Sequence, residues 1–186
     1  MSVLLPLYFE GAYGMTALVA GLLILPAIAC NAVTSIVGGR VMDARGAWPL
    51  LPVGFALIAV GQIAISVTAA SMNIGVVVAL TVVVYAGVGL VLSPSQTAGL
   101  ETLSAAEHPH GTALLNTWNM IAASFGPSLF IGLLSSSAAT AGAADAATDV
   151  AQAIGFAAAV RVAAVIAVVG FATSLVYARR ESHMSH

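Results

Sequence analysis

Polar and charged positions divide this chain into long apolar runs. No Asp, Glu, Lys or Arg falls between Glu10 and Arg40, between Arg45 and Glu101, or between Glu107 and Asp145. A helix that crosses a bilayer needs about 20 predominantly apolar residues, because the hydrocarbon core is about 30 Å thick and a helix rises about 1.5 Å per residue. The first and third intervals fit one crossing each. The second fits two, separated by the polar turn Ser71-Met72-Asn73, and the stretch from Ile154 to Ala178 adds a fifth with one embedded charge, Arg161. The spacing therefore predicts spans over about Thr16–Val37, Leu50–Ala69, Ile74–Leu92, Thr112–Ser135 and Ile154–Ala178. Strands of a membrane barrel alternate apolar and polar over about 10 residues, and the run Gly75–Val84 shows no such alternation. Backbone groups in lipid must be paired internally, so helices are the remaining reading. The expected fold is all-α: a polytopic transmembrane bundle of five full spans plus a partial helix at the N-terminus.

Composition agrees. Of 186 residues, five are basic, all Arg, and seven are acidic, so 6% are charged and 60% are apolar; an ordinary soluble domain carries roughly 25% charged residues. So few charges cannot cover the surface of a small soluble globule, and disordered chains are polar rather than apolar. The net charge of -2 and the absence of Lys exclude a basic nucleic-acid binder. Cys30 is the sole cysteine, which rules out an internal disulfide.

The charges also orient the bundle. With five spans, Gly38–Trp48, Glu101–Gly111 and the C-terminal tail share one side, and that side holds Arg40, Arg45, Arg179 and Arg180. The opposite side holds Glu10, Asp145 and Asp149. The positive-inside rule then places the Arg-bearing side and the C-terminus in the cytoplasm of a multi-pass cell-membrane protein. Residues 1–14 read as the remnant of a preceding span and an outer loop, 15–178 as the five-helix bundle and 179–186 as a cytoplasmic tail. Met1–Phe9 is apolar but too short to cross, and lacks the basic start and cleavage site of a signal peptide. The Ser, Ala, Thr and Gly of Ser136–Asp149 suggest a mobile connector.

Several polar or flexible positions inside the apolar runs are candidates for function. The loop Gly38-Gly39-Arg40-Val41-Met42-Asp43-Ala44-Arg45-Gly46 offers a tight turn and a charge knot. Asp43 could bond the Arg side chains or cap a helix start, locking one conformation of a rocking bundle, or the Arg residues could simply set topology. Gly87, Gly89 and Ser93-Pro94 in the third span form either a hinge or a packing notch with Pro near the helix end. Asn116 and Asn119 stand three apart on one face of the fourth span, continued by Ala123 and Gly126, with Trp118 on another face. Amides in hydrocarbon must pair with another helix or face a wet cavity. Asn31, Thr34 and Tyr85 form a second, weaker set of the same kind, while Gln62 and Ser66 sit on an expected peripheral helix. Arg161 either snorkels to the interface or contacts an anionic substrate or outer gate. Glu107-His108-Pro109-His110 is a solvated turn in preference to a metal site. No hydrolase triad, phosphate-cradling loop or Cys-x-x-Cys is present, so neither an enzyme nor a cofactor is expected.

The Gly39…Asp43…Arg45-Gly46 loop resembles a weakened form of the Gly-x-x-x-Asp-Arg-x-Gly-Arg-Arg signature of the major facilitator superfamily, as repeated between its eighth and ninth core helices. Arg45 stands one place late and the final Arg pair is missing. Leu5-Pro6-Leu7-Tyr8-Phe9-Glu10, Gly21-Leu22-Leu23-Ile24-Leu25-Pro26, Gly87-Val88-Gly89 with Ser93-Pro94, and Gly111–Thr117 resemble, in order, stretches of the fourteen-helix drug:proton antiporters of the EmrB/QacA-like type. The resemblance implies the end of core helix seven followed by helices eight to twelve: the C-terminal half of a proton-coupled multidrug exporter working by alternating access. Its partners would be the lipid bilayer, a missing N-terminal half, protons and a lipophilic small molecule. No Asp or Glu lies inside a predicted span, so the coupling carboxylates would belong to that other half. The rival readings are a non-transporting assembly subunit and a membrane-embedded enzyme built around Glu107–His110.

Overall fold

The computed structural model describes residues 4–68, 73–104, 106–143 and 148–184. Helices occupy nearly all of them: α1 (Leu4–Tyr13), α2 (Ala17–Arg45), α3 (Leu50–Thr68), α4 (Ile74–Glu101), α5 (His108–Ala143) and α6 (Thr148–Met184). All five expected spans are helical over their described residues, apart from Thr16, which precedes α2 in extended backbone, while Ala69 lies outside the described residues. Among the described residues, four stretches are long and apolar enough to cross a membrane: α2, α3, α4 and Ala153–Val176 of α6. The 36 residues of α5 exceed the length of a crossing, but Asn116, Asn119, Ser124, Ser128 and Pro127 dilute its apolar character.

The helices run further than the sequence suggested. Gly38–Arg45, expected as loop, is the last part of α2, which ends at Gly46 with φ 76° and its N–H on the Met42 carbonyl at 2.8 Å. Only Gly46 of that motif needs a glycine's backbone freedom; Gly39 is ordinary helix. Likewise α4 runs through Pro94 to Glu101 instead of stopping near Leu92. A proline inside a helix removes one donor, yet the residues after it still find carbonyls. Of the expected connector Ser136–Asp149, residues 144–147 lie outside the described residues, Thr148 and Asp149 begin α6, and Ser136–Ala143 continues α5. Its alanines favour helix, and the Thr140 hydroxyl donates back to the Ser136 carbonyl at 2.9 Å. The predicted turn residues Ser71 and Met72 lie outside the described residues. Asn73 caps α4, its side-chain oxygen accepting from the Val76 N–H at 3.3 Å.

Helix α5 begins earlier than expected. The Ser104 N–H and hydroxyl both donate to Glu107 Oε2, at 3.1 and 2.6 Å, the reciprocal half of a capping box. The hydroxyl bond first, then the backbone bond, holds the Glu107 carboxyl below its usual pKa. His108-Pro109-His110 is therefore the first helical turn, where a proline's missing donor costs nothing.

Helix α4 is the centre of the bundle, packed between α2 and α3; α3 leans on α6, which also carries α5 and α1. The seams of α4 are lined with glycine. A Cβ added at Gly87 would lie 2.6 Å from the Gly54 carbonyl oxygen and 3.0 Å from the Ile58 nitrogen of α3. One added at Gly89 would meet the Thr34 hydroxyl and lie 2.7 Å from the Asn31 carbonyl oxygen of α2. Two residues apart, the two glycines face opposite neighbours. One end of the bundle is filled by aromatics instead: Tyr8 of α1 stacks on Phe156 of α6 with ring centroids 4.2 Å apart and planes 15° from parallel. The outward faces are apolar, with Leu18 73%, Val67 71% and Val165 64% exposed, as lipid-facing positions should be.

Gly87→Val should lower the stability of the bundle by about 1–3 kcal/mol, because two of the three atoms nearest the new Cβ are backbone and cannot swing away. Gly99, with open space at its Cβ position, provides the contrast. Gly99→Ala should be neutral or stabilise by up to about 1 kcal/mol through helix propensity. Thermal unfolding of the purified variants in one detergent distinguishes them.

Candidate substrate face

The polar residues singled out in the sequence fall in three separate places. At the α2–α4 seam, the half-buried Asn31 donates from Nδ2 to the Tyr85 carbonyl at 3.0 Å. Thr34 donates to the carbonyls of Cys30 and Asn31, at 2.9 and 3.1 Å. Tyr85 is half-buried on the facing helix. This set ties two helices together, at the level where Gly89 lets their backbones approach.

On α5 the arrangement is different. Asn116, Asn119, Met120, Ala123 and Ser124, at positions i, i+3, i+4, i+7 and i+8, line one open groove of about 380 Å³. All five are exposed. The Ser124 hydroxyl donates to the Met120 carbonyl at 2.9 Å, whereas neither Asn amide has a hydrogen-bond partner among the described residues. Gly126, expected to continue this face, is half-buried instead. Trp118 and Phe125 are also exposed, at 62% and 73%, so α5 presents amides flanked by bulky apolar and aromatic groups. Met120 and Ser124 went unremarked in the sequence, although the i+4 and i+8 spacing from Asn116 marks them.

The third place is the crevice between α3 and α6, which Arg161 helps to line. It shares no lining residue with the α5 groove. Gln62 and Ser66, set aside as peripheral, are both buried on α3, and the Gln62 Oε1 atom has no hydrogen-bond partner among the described residues.

The remaining candidates lie away from these faces. Arg40, Asp43 and Arg45 are exposed along the last turns of α2, Gly39 is half-buried, and Asp43 forms no ion pair among the described residues. Gly87, Gly89 and Pro94 are buried within continuous α4. Among the described residues, no group of three His, Cys, Asp or Glu side chains could hold a metal ion.

A bundle of long apolar helices with lipid-facing aliphatic surfaces is the build of a multi-pass membrane protein. The family model of the Major Facilitator Superfamily matches residues 1–127, and the chain belongs to that family of transporters. Among its relatives, the uncharacterized MFS-type transporter YcnB of Bacillus subtilis (strain 168) is 34% identical over 173 residues, which is 92% of this chain and 36% of that protein. The lincomycin resistance protein LmrB of Listeria monocytogenes is 31% identical over 133 residues, 72% of this chain and 28% of its own length. LmrB of Bacillus subtilis is 30% identical, again over 133 residues, 71% of this chain and 28% of its own. The chain thus spans about a third of the length of the curated relatives it matches. No solved structure matches it.

Removing the interhelical bond and removing an unpaired amide should differ in effect. Asn31→Ala is expected to cost about 0.6–1.7 kcal/mol, the range for hydrogen bonds between helices in membranes. Asn116→Ala should change stability by less than about 0.5 kcal/mol. Unfolding in mixed detergent micelles, monitored by loss of helical signal, gives both numbers.

Proposed function

We propose that this chain is the C-terminal half of a proton-coupled exporter of lipophilic compounds, of the fourteen-helix antiporter type, and that α5 presents its part of the substrate path. The observation that carries the reading is the open α5 face. Amides cost free energy in hydrocarbon unless they meet a partner or a wet cavity, and Asn116 and Asn119 meet none within the bundle. A cavity between this bundle and a second one supplies water and ligand to that face, as in transporters whose site lies between two halves near the membrane midplane. Lipophilic compounds suit a lining of Met120, Ala123 and scattered amides, which offers broad apolar contact and few fixed bonds. The lincomycin resistance named for the LmrB relatives supports a drug as the cargo.

In this reading the halves rock about the membrane-embedded site, with the Arg40–Asp43–Arg45 end of α2 on the cytoplasmic side making and releasing contacts with the other half. Gly87, Gly89 and Pro94 let α4 adjust as that happens, and the C-terminus is cytoplasmic in the cell membrane. Glu10, Asp43 and Glu101 lie at or near helix ends, so the carboxylates that carry the proton belong to the partner half. The 186-residue chain does not transport by itself.

The test is drug export by the complete transporter. Replacing Asn116 and Asn119 together with Leu should reduce export about fivefold or more, the worth of one or two lost hydrogen bonds, at unchanged membrane abundance. Unaltered export would remove α5 from the substrate path. Asp43→Asn should reduce transport more than abundance; parallel falls in both would make Asp43 a purely structural residue.

A further inference from the structure

The crevice between α3 and α6 belongs to neither the α5 face nor the α2–α4 seam. It has a volume of about 340 Å³ and is lined by Ile63 and Ser66 of α3 and by Ala164, Val165, Val168 and Val169 of α6, with Arg161 among its walls. That size lies at the lower end of small-ligand sites. The lining is almost wholly apolar, since the Ser66 hydroxyl already donates to the Ile63 carbonyl at 2.7 Å. Arg161 is exposed and makes no ion pair or hydrogen bond among the described residues. Gln62, one turn from Ser66 on α3, has a buried Oε1 that also finds no hydrogen-bond partner among the described residues. An uncompensated guanidinium on a lipid-facing surface calls for an anion.

The layout of the crevice says which kind. Helical side chains lean toward the helix N-terminus, so Arg161 reaches toward the near end of α6. The apolar lining extends the other way, from Ala164 to Val169. Arg161 to Val169 is eight residues, about 12 Å along the axis. The apolar window of α6 runs 24 residues, Ala153–Val176, longer than the about 20 a perpendicular crossing needs, so Arg161, eight residues in, lies within side-chain reach of the headgroup layer. Charge at the interfacial end with an apolar channel running inward matches an amphiphile standing upright in the leaflet.

We propose that this crevice binds an anionic phospholipid, its phosphate on the Arg161 guanidinium and one acyl chain along Val165, Val168 and Val169. The lipid supplies the charge that the protein leaves unpaired, and it fills a gap that loosely fitting bulk lipid would leave between α3 and α6.

The experiment uses the full 186-residue chain in vesicles, with Trp48 and Trp118 changed to Phe and a reporter introduced by Val168→Trp. Quenching by brominated phosphatidylglycerol is compared with quenching by brominated phosphatidylcholine. The reporter should prefer the anionic lipid about fivefold, the effect of one Arg near a charged lipid surface. That preference should vanish in Arg161→Gln and survive in Arg161→Lys. A control reporter, Ile28→Trp on the outward face of α2, should show no preference. Equal quenching by the two lipids at Val168→Trp overturns the proposal. So does relief of quenching by millimolar glycerol phosphate, which would mean that a free phosphate, not a lipid, occupies the site. A second readout needs no reporter: anionic phospholipid carried through mild-detergent purification should fall about fivefold from wild type to Arg161→Gln, and an equal yield overturns the proposal as well.

Discussion

In a bilayer, two helices gain nothing by hiding apolar surface from one another, because lipid tails are as apolar as Leu and Val. What holds them is contact between well-fitted surfaces and the few hydrogen bonds that cross the seam. The approach of α4 to its two neighbours is therefore the feature on which this bundle rests. Gly87 meets Gly54 backbone to backbone on one side, and Gly89 meets the Asn31–Ser35 stretch of α2 on the other. Because each glycine also lies against a main-chain oxygen of its neighbour, neither seam can absorb a side chain by a change of rotamer alone. The glycines also decide which polar groups can pair. The bond from Asn31 to the Tyr85 carbonyl spans helices at 3.0 Å, and that distance exists only because no Cβ at position 89 holds α2 and α4 apart.

The same logic sorts the polar side chains. A hydroxyl in hydrocarbon is satisfied within its own helix by donating to a carbonyl three or four residues back, as Thr34, Ser66, Thr81 and Ser124 all do. Such residues need no external partner and carry little information about function. A carboxamide is too large and too richly bonded for that solution. Each of the three Asn side chains within the long helices must find a second helix or a second phase. Asn31 finds the helix. Asn116 and Asn119 find no second helix, and the guanidinium of Arg161, in a separate crevice, is likewise without a partner among the described residues.

Much of this was legible in the residues. Charge-free intervals located four of the five long helices and an apolar run around the single charge of Arg161 located the fifth, and the resemblance of the Gly39–Gly46 and Gly87–Pro94 stretches pointed to the family to which the chain belongs. Helix ends were not legible, because the signals used to stop a helix were local. Gly38, Gly39 and Pro94 look like breakers in isolation, but Gly38 is buried against Gly89 and Leu90 and Pro94 forfeits only one bond in a helix packed on two sides. The Ala-rich run after Ser135 lacks apolar bulk, which hides the fact that alanine favours helix most. The pairing of Asn31 was equally hidden. Asn31 and Asn116 carry the same group on similar apolar helices, and only the three-dimensional neighbour, a glycine-lined helix for one and open space for the other, separates them.

That separation bears on why α5 stands apart from the four strongly apolar spans. A helix buried in lipid on every free side is selected for apolar residues all round, and α2 and α6 show this in their exposed Leu, Ile and Val. Helix α5 touches α6 along one side and exposes most of the remainder, including Asn116, Thr117, Asn119, Ser124 and Ser128. If lipid covered that surface, each amide would stand in hydrocarbon without a partner, at a cost of a few kcal/mol apiece. Two such costs are a large fraction of the marginal stability of a small bundle. The surface is affordable only if something more polar than an acyl chain lies against it. Under the function proposed above, water in a transport cavity would satisfy that requirement and leave the amides free to bond a passing solute. A permanently packed assembly partner would satisfy it only by committing them.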